Sequence, residues 1–270
     1  MTPIAASDGS ASSGERPAGW LAAARHLLDL LGATQTEVID VTAARCADAI
    51  AAGGLVHLFG TGHSRIPLEE MFPRYGSYPG FHPMAELSMT FHTQVTGSNG
   101  QRQAMYIERV EGLAEAILDN FSFGSSDVMI VWSAGGRTAV PIEMAMGARR
   151  RGLVVVAVTS VAQATGFPSG HSSGTSLVDH ADLVIDLCIP VGDAAVAIEG
   201  LDTPVGPLSS VANVAIANEI KVRTARLLVE RGAMPPVITS ASVVGAERSA
   251  ELFDAAYADH AARYAAVLAR

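Results

Sequence analysis

Two short loops carry most of the chemistry legible in this chain. Gly60-Thr61-Gly62-His63-Ser64 and Ser133-Ala134-Gly135-Gly136-Arg137-Thr138 both combine glycines with hydroxyl side chains, and each follows an apolar run. Glycine lets a chain turn sharply and bring its N–H groups against an anion, and a helix starting just beyond adds positive partial charge. Gly60, Gly62, Gly135 and Gly136 allow that close approach, while Thr61, Ser64, Ser133 and Thr138 carry hydroxyls that can donate to phosphate oxygens. One such loop is often only a tight turn. Two at the ends of consecutive strands point to a phosphomonoester. The first loop lacks the third glycine of the dinucleotide fingerprint, and neither has the Gly-Lys-Ser/Thr of a P-loop. No nucleotide or other cofactor is therefore expected.

Histidines could move protons near neutral pH. His63 lies inside the first loop, and His171 lies in GHSSG after the third apolar strand run. His82 and His92 occupy an irregular stretch that could close over a substrate, whereas His180, in VDHAD, reads as structural. Their spacings fit no zinc signature, so no metal is expected. Arg65 and Arg137 offer positive charge beside the loops, although solvated arginines are commoner.

Strands and helices must hold these groups in place. Leu55–Phe59, Asp127–Trp132, Leu153–Val158 and Leu183–Cys188 are continuous apolar runs, the pattern of strands buried on both faces. Helical spacing is expected from Trp20 to Ala52, broken near Gly32, and again over Gln103–Asn120, Thr138–Arg151, Leu208–Arg231 and Gly245–Leu268. Alternating strands and helices predict a three-layer α/β/α sandwich with a central parallel, Rossmann-like sheet. Ligands of such sheets bind beyond the carboxyl ends of the strands, which is where both loops fall. The segment Ile66–Gly100, rich in Pro, Gly and aromatic residues, reads as irregular. Residues 1–18 read as a disordered tail without signal-peptide character, 19–54 as a helical extension, and 55–270 as one ligand-binding domain.

Bulk properties agree with a globular enzyme. The 270 residues are 49% apolar and 17% charged, with a formal net charge of −9. That balance gives no sequence-independent attraction to nucleic acid or anionic membrane, and no apolar run is long enough for a membrane span. Cys46 and Cys188 each sit in an apolar run and are expected reduced, in the cytoplasm.

The loops together resemble the sugar isomerase (SIS) domain family, in which Gly-x-Gly-x-Ser follows the first strand and a Ser-rich loop ending in Thr precedes a helix. The likeness covers about Leu55 to Arg231. It implies that Ser64, Ser133 and Thr138 contact a substrate phosphate. Ala134-Gly135 stands where the family has a serine, so one hydroxyl contact is missing or replaced by backbone N–H. The stretches DVMIVWSAGGRTAVPIE, EMFPRYG and VEGLAE resemble the N-acetylmuramic acid 6-phosphate etherase branch. That likeness implies acid/base roles for Glu70 and for either Glu111 or Glu115, because the stretch here is one residue longer. Six residues past the first loop, Glu70 would be aimed at the pocket by a short helix, and its apolar neighbours would raise its pKa toward that of a working base. Glu111 and Glu115, four apart, also suit an ordinary surface face of one helix. Glu199–Ser210 mixes acids, prolines and hydroxyls ahead of a helix that Ser209-Ser210 could cap. In SIS proteins this loop also approaches the sugar.

Three functions remain open on the sequence: isomerisation of a hexose or amino-sugar phosphate, etherase-type elimination from an N-acylated amino-sugar 6-phosphate, and non-catalytic sensing of a sugar phosphate for a protein partner. The Ala-rich helices at both ends suit a homodimer.

Overall fold

The apolar runs do form strands, and their alternation shows why both faces must be covered. In the second run, Val128, Ile130 and Trp132 point to one side of the sheet, while Met129 and Val131 point to the other. The computed structural model describes residues 19–90 and 100–268. The tail at 1–18 and His92 lie outside the described residues.

In chain order the main elements are α1 (Trp20–Thr34), α2 (Thr36–Ala51), β1 (Val56–Gly60), α3 (Ile66–Met71), β2 (Phe81–Met84), α4 (Gln101–Ile107), α5 (Leu113–Leu118), β3 (Val128–Trp132), α6 (Ala139–Arg150), β4 (Val154–Thr159), α7 (Val161–Gly166), β5 (Leu183–Asp186), β6 (Ala194–Val196), β7 (Val205–Pro207), α8 (Ser209–Glu230), α9 (Ala241–Val244) and α10 (Ala246–Leu268). Five strands form one parallel sheet in the order β2-β1-β3-β4-β5. One face packs on α1, α2 and α8 through residues such as Leu27, Ile50, Ala212 and Ile220. The other packs on α5 and α6 through Ala114, Leu118, Val140 and Met144. The result is the three-layer α/β/α arrangement. Helices α1 and α2 bury their apolar stripes in the same core as the sheet.

Three local expectations are corrected. The stretch Ile66–Gly100 is not wholly irregular: α3 lies within it, and Phe81–Met84 forms β2, an edge strand parallel to β1. The strand contains Pro83, which an edge position tolerates. The helix expected over Gln103–Asn120 breaks into α4 and α5 at Gly112, whose φ of 87° no helix contains. The first helical stretch breaks at Gln35, not Gly32. In addition, Glu199–Ser210 is not one plain loop, because Val205–Pro207 pairs antiparallel with Ala194–Val196 to make a small hairpin.

Candidate functional site

The chain runs from β1 outward to β2, then crosses back to β3 on the other side of β1. The carboxyl ends of β1 and β3 therefore flank the point where strand order reverses, the usual ligand crevice of such sheets. Register puts Gly60 opposite Trp132, so the two loops leave the sheet side by side. They are also tied together, since the Ala134 N–H donates to Ser64 Oγ at 3.3 Å.

Between them lies a cleft of about 270 Å³, lined by both loops and by Met105, Glu108, Asp193 and Ser209. Thr61, Gly62, His63, Ser64, Ser133, Gly135, Gly136 and Thr138 all line it. Gly60 sits one step behind, as the last residue of β1. A Cβ on Gly60 would stand 2.2 Å from the Ser64 carbonyl oxygen, so only glycine lets the first loop fold back over the strand end. Gly136 has φ +62°, and a Cβ there would meet Thr159 Oγ1 at 2.6 Å. The Gly136 N–H donates to Ser133 Oγ at 3.2 Å. Thr138 is the N-cap residue of α6, yet its hydroxyl makes no capping bond. Helix α6 thus points its positive end at the cleft.

Of the acids expected here, none lines this cleft. Glu70 does sit on a helix after the first loop, but in a second cleft of about 540 Å³ walled by Tyr75, Phe253 and Tyr257. It accepts from Asn218 Nδ2 at 2.8 Å and pairs with Arg74. Glu115 reaches the far end of α6, where it pairs with Arg150 and, at 2.9 Å, with Arg151. Glu111 is not on a helix at all. It accepts from both the backbone N–H and the hydroxyl of Ser172, each at 2.6 Å.

Glu108 takes the place that sequence reading had sought for these acids. It ends α4, and its Oε2 accepts from Thr61 Oγ1 at 2.6 Å. Its backbone carbonyl accepts from the Val140 N–H in the first turn of α6. Burial raises its carboxyl above the ordinary glutamate range, although the Thr61 hydrogen bond and Arg109 oppose this. Three glutamates in YIERVEGLAE offered no way to choose among them by type. Only the helix break at Gly112 selects Glu108, and that glycine was the available signal. Asp193 was also missed. Held at φ 70°, it accepts from the Leu208 and Ser209 N–H groups and from Ser209 Oγ at 2.6 Å, which makes it the cap of α8. Ser209 lines the cleft rather than serving as that cap.

His63 is exposed at the cleft mouth. His171 lies outside the cleft, with Nε2 3.4 Å from Glu143 Oε1 and 3.9 Å from Glu111 Oε2. These three side chains are close enough to share a cation. However, the Ser173 N–H donates to His171 Nδ1 at 3.1 Å, which places the ring proton on Nε2, facing the carboxylates. The group as built is a hydrogen-bonded clasp. His180 accepts from or donates to Thr175 Oγ1 at 2.7 Å, and burial lowers its pKa. His82, expected over a substrate, is instead in β2 against His57 in the core. Arg137 stacks over Phe167 and donates to the Pro168 carbonyl, and Arg65 pairs with Glu69.

Comparison with known proteins identifies the family. The SIS domain pattern matches residues 19–160. A UPF0309 protein of Streptomyces coelicolor is 36% identical over 236 residues, covering 86% of this chain and 92% of its own. A UPF0309 protein of Thermoanaerobacter pseudethanolicus is 35% identical over 224 residues, covering 82% and 88%. Among solved structures, a hypothetical protein of Methanococcus jannaschii, whose structure was taken to infer a 3-hexulose-6-phosphate isomerase function, aligns with a TM-score of 0.39 at 14% identity, covering 77% of this chain and 89% of its own. On the family match and the extent of the UPF0309 likeness, this chain belongs to the SIS domain family.

Proposed function

We propose that the chain binds a hexose or amino-sugar phosphate in the cleft between the β1 and β3 loops and isomerises it, with Glu108 as the base and His63 as its partner acid. The observation that carries this reading is the convergence of two amide- and hydroxyl-bearing loops on one cleft with a half-buried carboxyl hydrogen-bonded to Thr61. The phosphate would take the end formed by Ser64, Ser133, Gly135, Gly136 and Thr138. The open-chain sugar would then extend toward Glu108. As carboxylate, Glu108 removes the proton from the carbon beside the carbonyl and returns it to the neighbouring carbon. His63 transfers the matching proton between the two oxygens. We also place the reaction in the cytoplasm and in a homodimer. Among the described residues no helix is long and apolar enough to cross a membrane.

The test is thermal shift with a panel of hexose, hexosamine and acylated hexosamine 6-phosphates, on the native chain and on Ser133→Ala. A ligand that binds only the folded state raises Tm. A rise with one sugar phosphate that is lost in the variant is the expected result. No rise with any of them overturns the reading. Product analysis with the binder separates isomerisation from elimination, and binding without turnover would indicate a sensor.

A further inference from the structure

The turn from Glu108 to Gly112 joins the first loop, α6 and the loop that carries Ser172. At its start, the Glu108 side chain accepts from Thr61 of the first loop and its carbonyl from Val140 of α6. At its end, Glu111 holds Ser172 by two hydrogen bonds of 2.6 Å. The Gly112 N–H donates to both oxygens of Glu143, on α6, at 2.8 Å. His171, its side chain 7% exposed, lies between the two carboxylates with its Nε2 proton toward them. The loop that carries His171 and Ser172 is in turn bound to the second phosphate loop. Gly170 N–H donates to the Arg137 carbonyl, Leu177 N–H to the Gly136 carbonyl, and Arg137 Nη1 to the Pro168 carbonyl. A rigid path of hydrogen bonds therefore runs from the clasp into both sides of the cleft.

We propose that Glu111, His171 and Glu143 are positioning residues, whose clasp holds Glu108 against Thr61 and fixes its distance from Gly136 and Arg137. This rests on the reading of Glu108 as the reacting carboxyl, but not on the identity of the sugar. Glu108 caps the C-terminal end of α4, its backbone N–H donating to the Ala104 carbonyl, while its side chain is held from outside the helix by Thr61. Loosening the Gly112 end of the turn would let its carboxyl swing out to water. Burial is what keeps that carboxyl hard to ionise, so the swing has a spectroscopic signature that needs no substrate.

The experiment is a pH titration of the Glu108 carboxyl by carbon-13 NMR on the full chain, its resonance assigned by loss in Glu108→Gln. It is repeated on Glu143→Gln and on Glu111→Gln. Glu111 is 41% exposed at its side chain, so the second variant keeps the fold if the first does not. The native chain should show Glu108 titrating above the ordinary glutamate range, and each variant should move it down by about one pH unit, tenfold in proton affinity. An unchanged Glu108 titration in folded Glu111→Gln and Glu143→Gln would overturn the proposal, as would an ordinary value in the native chain. If the clasp variants shift Glu108 while no sugar phosphate binds the native chain, the positioning role stands and the isomerase reading falls.

Discussion

Glu108 is the base in the proposed isomerisation, and its surroundings give its pH behaviour a sign. A base must be ionised to accept a proton, and burial raises the Glu108 carboxyl above its ordinary range. The active form is therefore lost as pH falls through that raised value, and activity should climb with pH across it. Glu108→Gln keeps the size and the ability to accept from Thr61 through its amide oxygen but cannot take the proton. Turnover should fall by about 10² to 10⁴, the usual contribution of a positioned base, while the sugar-phosphate thermal shift persists. Rate and binding assays on the same preparation decide the matter. A variant that retains turnover would move the base to another residue, with His63 the next in the cleft.

At the scale of elements, the proposed binding falls to two loops because the sheet order brings their strands together, and single atoms decide whether they can close. Gly136 joins two such demands, a left-handed φ of +62° and a Cβ position 2.6 Å from Thr159 Oγ1. Gly136→Ala should cost about 1–3 kcal/mol from backbone strain alone and abolish phosphosugar binding, read by denaturant unfolding and thermal shift together. Unaltered binding would show that the loop amides are not used. The same elements explain what was legible beforehand. Strands β1, β3 and β4 were clear because burial on both faces forces unbroken apolar runs, and the loops were clear because they need glycines and hydroxyls. Strand β2 was hidden because it is a short edge strand containing Pro83. Glu108 was hidden because its neighbours Glu111 and Glu115 have the same chemistry and differ only in where the chain bends. Asp193 was hidden because its target, the start of α8, lies sixteen residues on and is reached only through the hairpin.

For the molecule as a whole, a second polar group matters, at the amino-terminal ends of the strands, opposite the cleft end of the sheet. His57, His82 and Asp127 form a buried chain across β1, β2 and the start of β3, the residues 0%, 5% and 4% exposed. Burial works against the Asp127 carboxylate, but hydrogen bonds from His57, Leu55 and Gly124 outweigh it and hold the group below its ordinary range. His57 then donates through Nε2 to Asp127 at 3.1 Å, so its Nδ1 accepts from His82 Nδ1 at 2.8 Å. Burial first, then His57 and His260, push His82 down to about 3, with Asp127 opposing. In the unfolded chain a histidine titrates near 6.5. Between those values the unfolded state takes up a proton that the folded state refuses. Stability is therefore complete above about pH 6.5 and is lost on acidification toward pH 3, by up to about 1.4 kcal/mol per pH unit from this one group. His82→Asn retains an N–H for His57 but cannot titrate, and it loses ring packing against Phe121 and Tyr264. It should be less stable than the native chain at pH 7.5 by about 2–4 kcal/mol, as for other core truncations. Its unfolding free energy in urea should then fall less steeply between pH 6.5 and 4, by up to one proton's slope. Parallel slopes for the two proteins would assign the acid sensitivity to other groups, with His260, also lowered by burial, the first to replace.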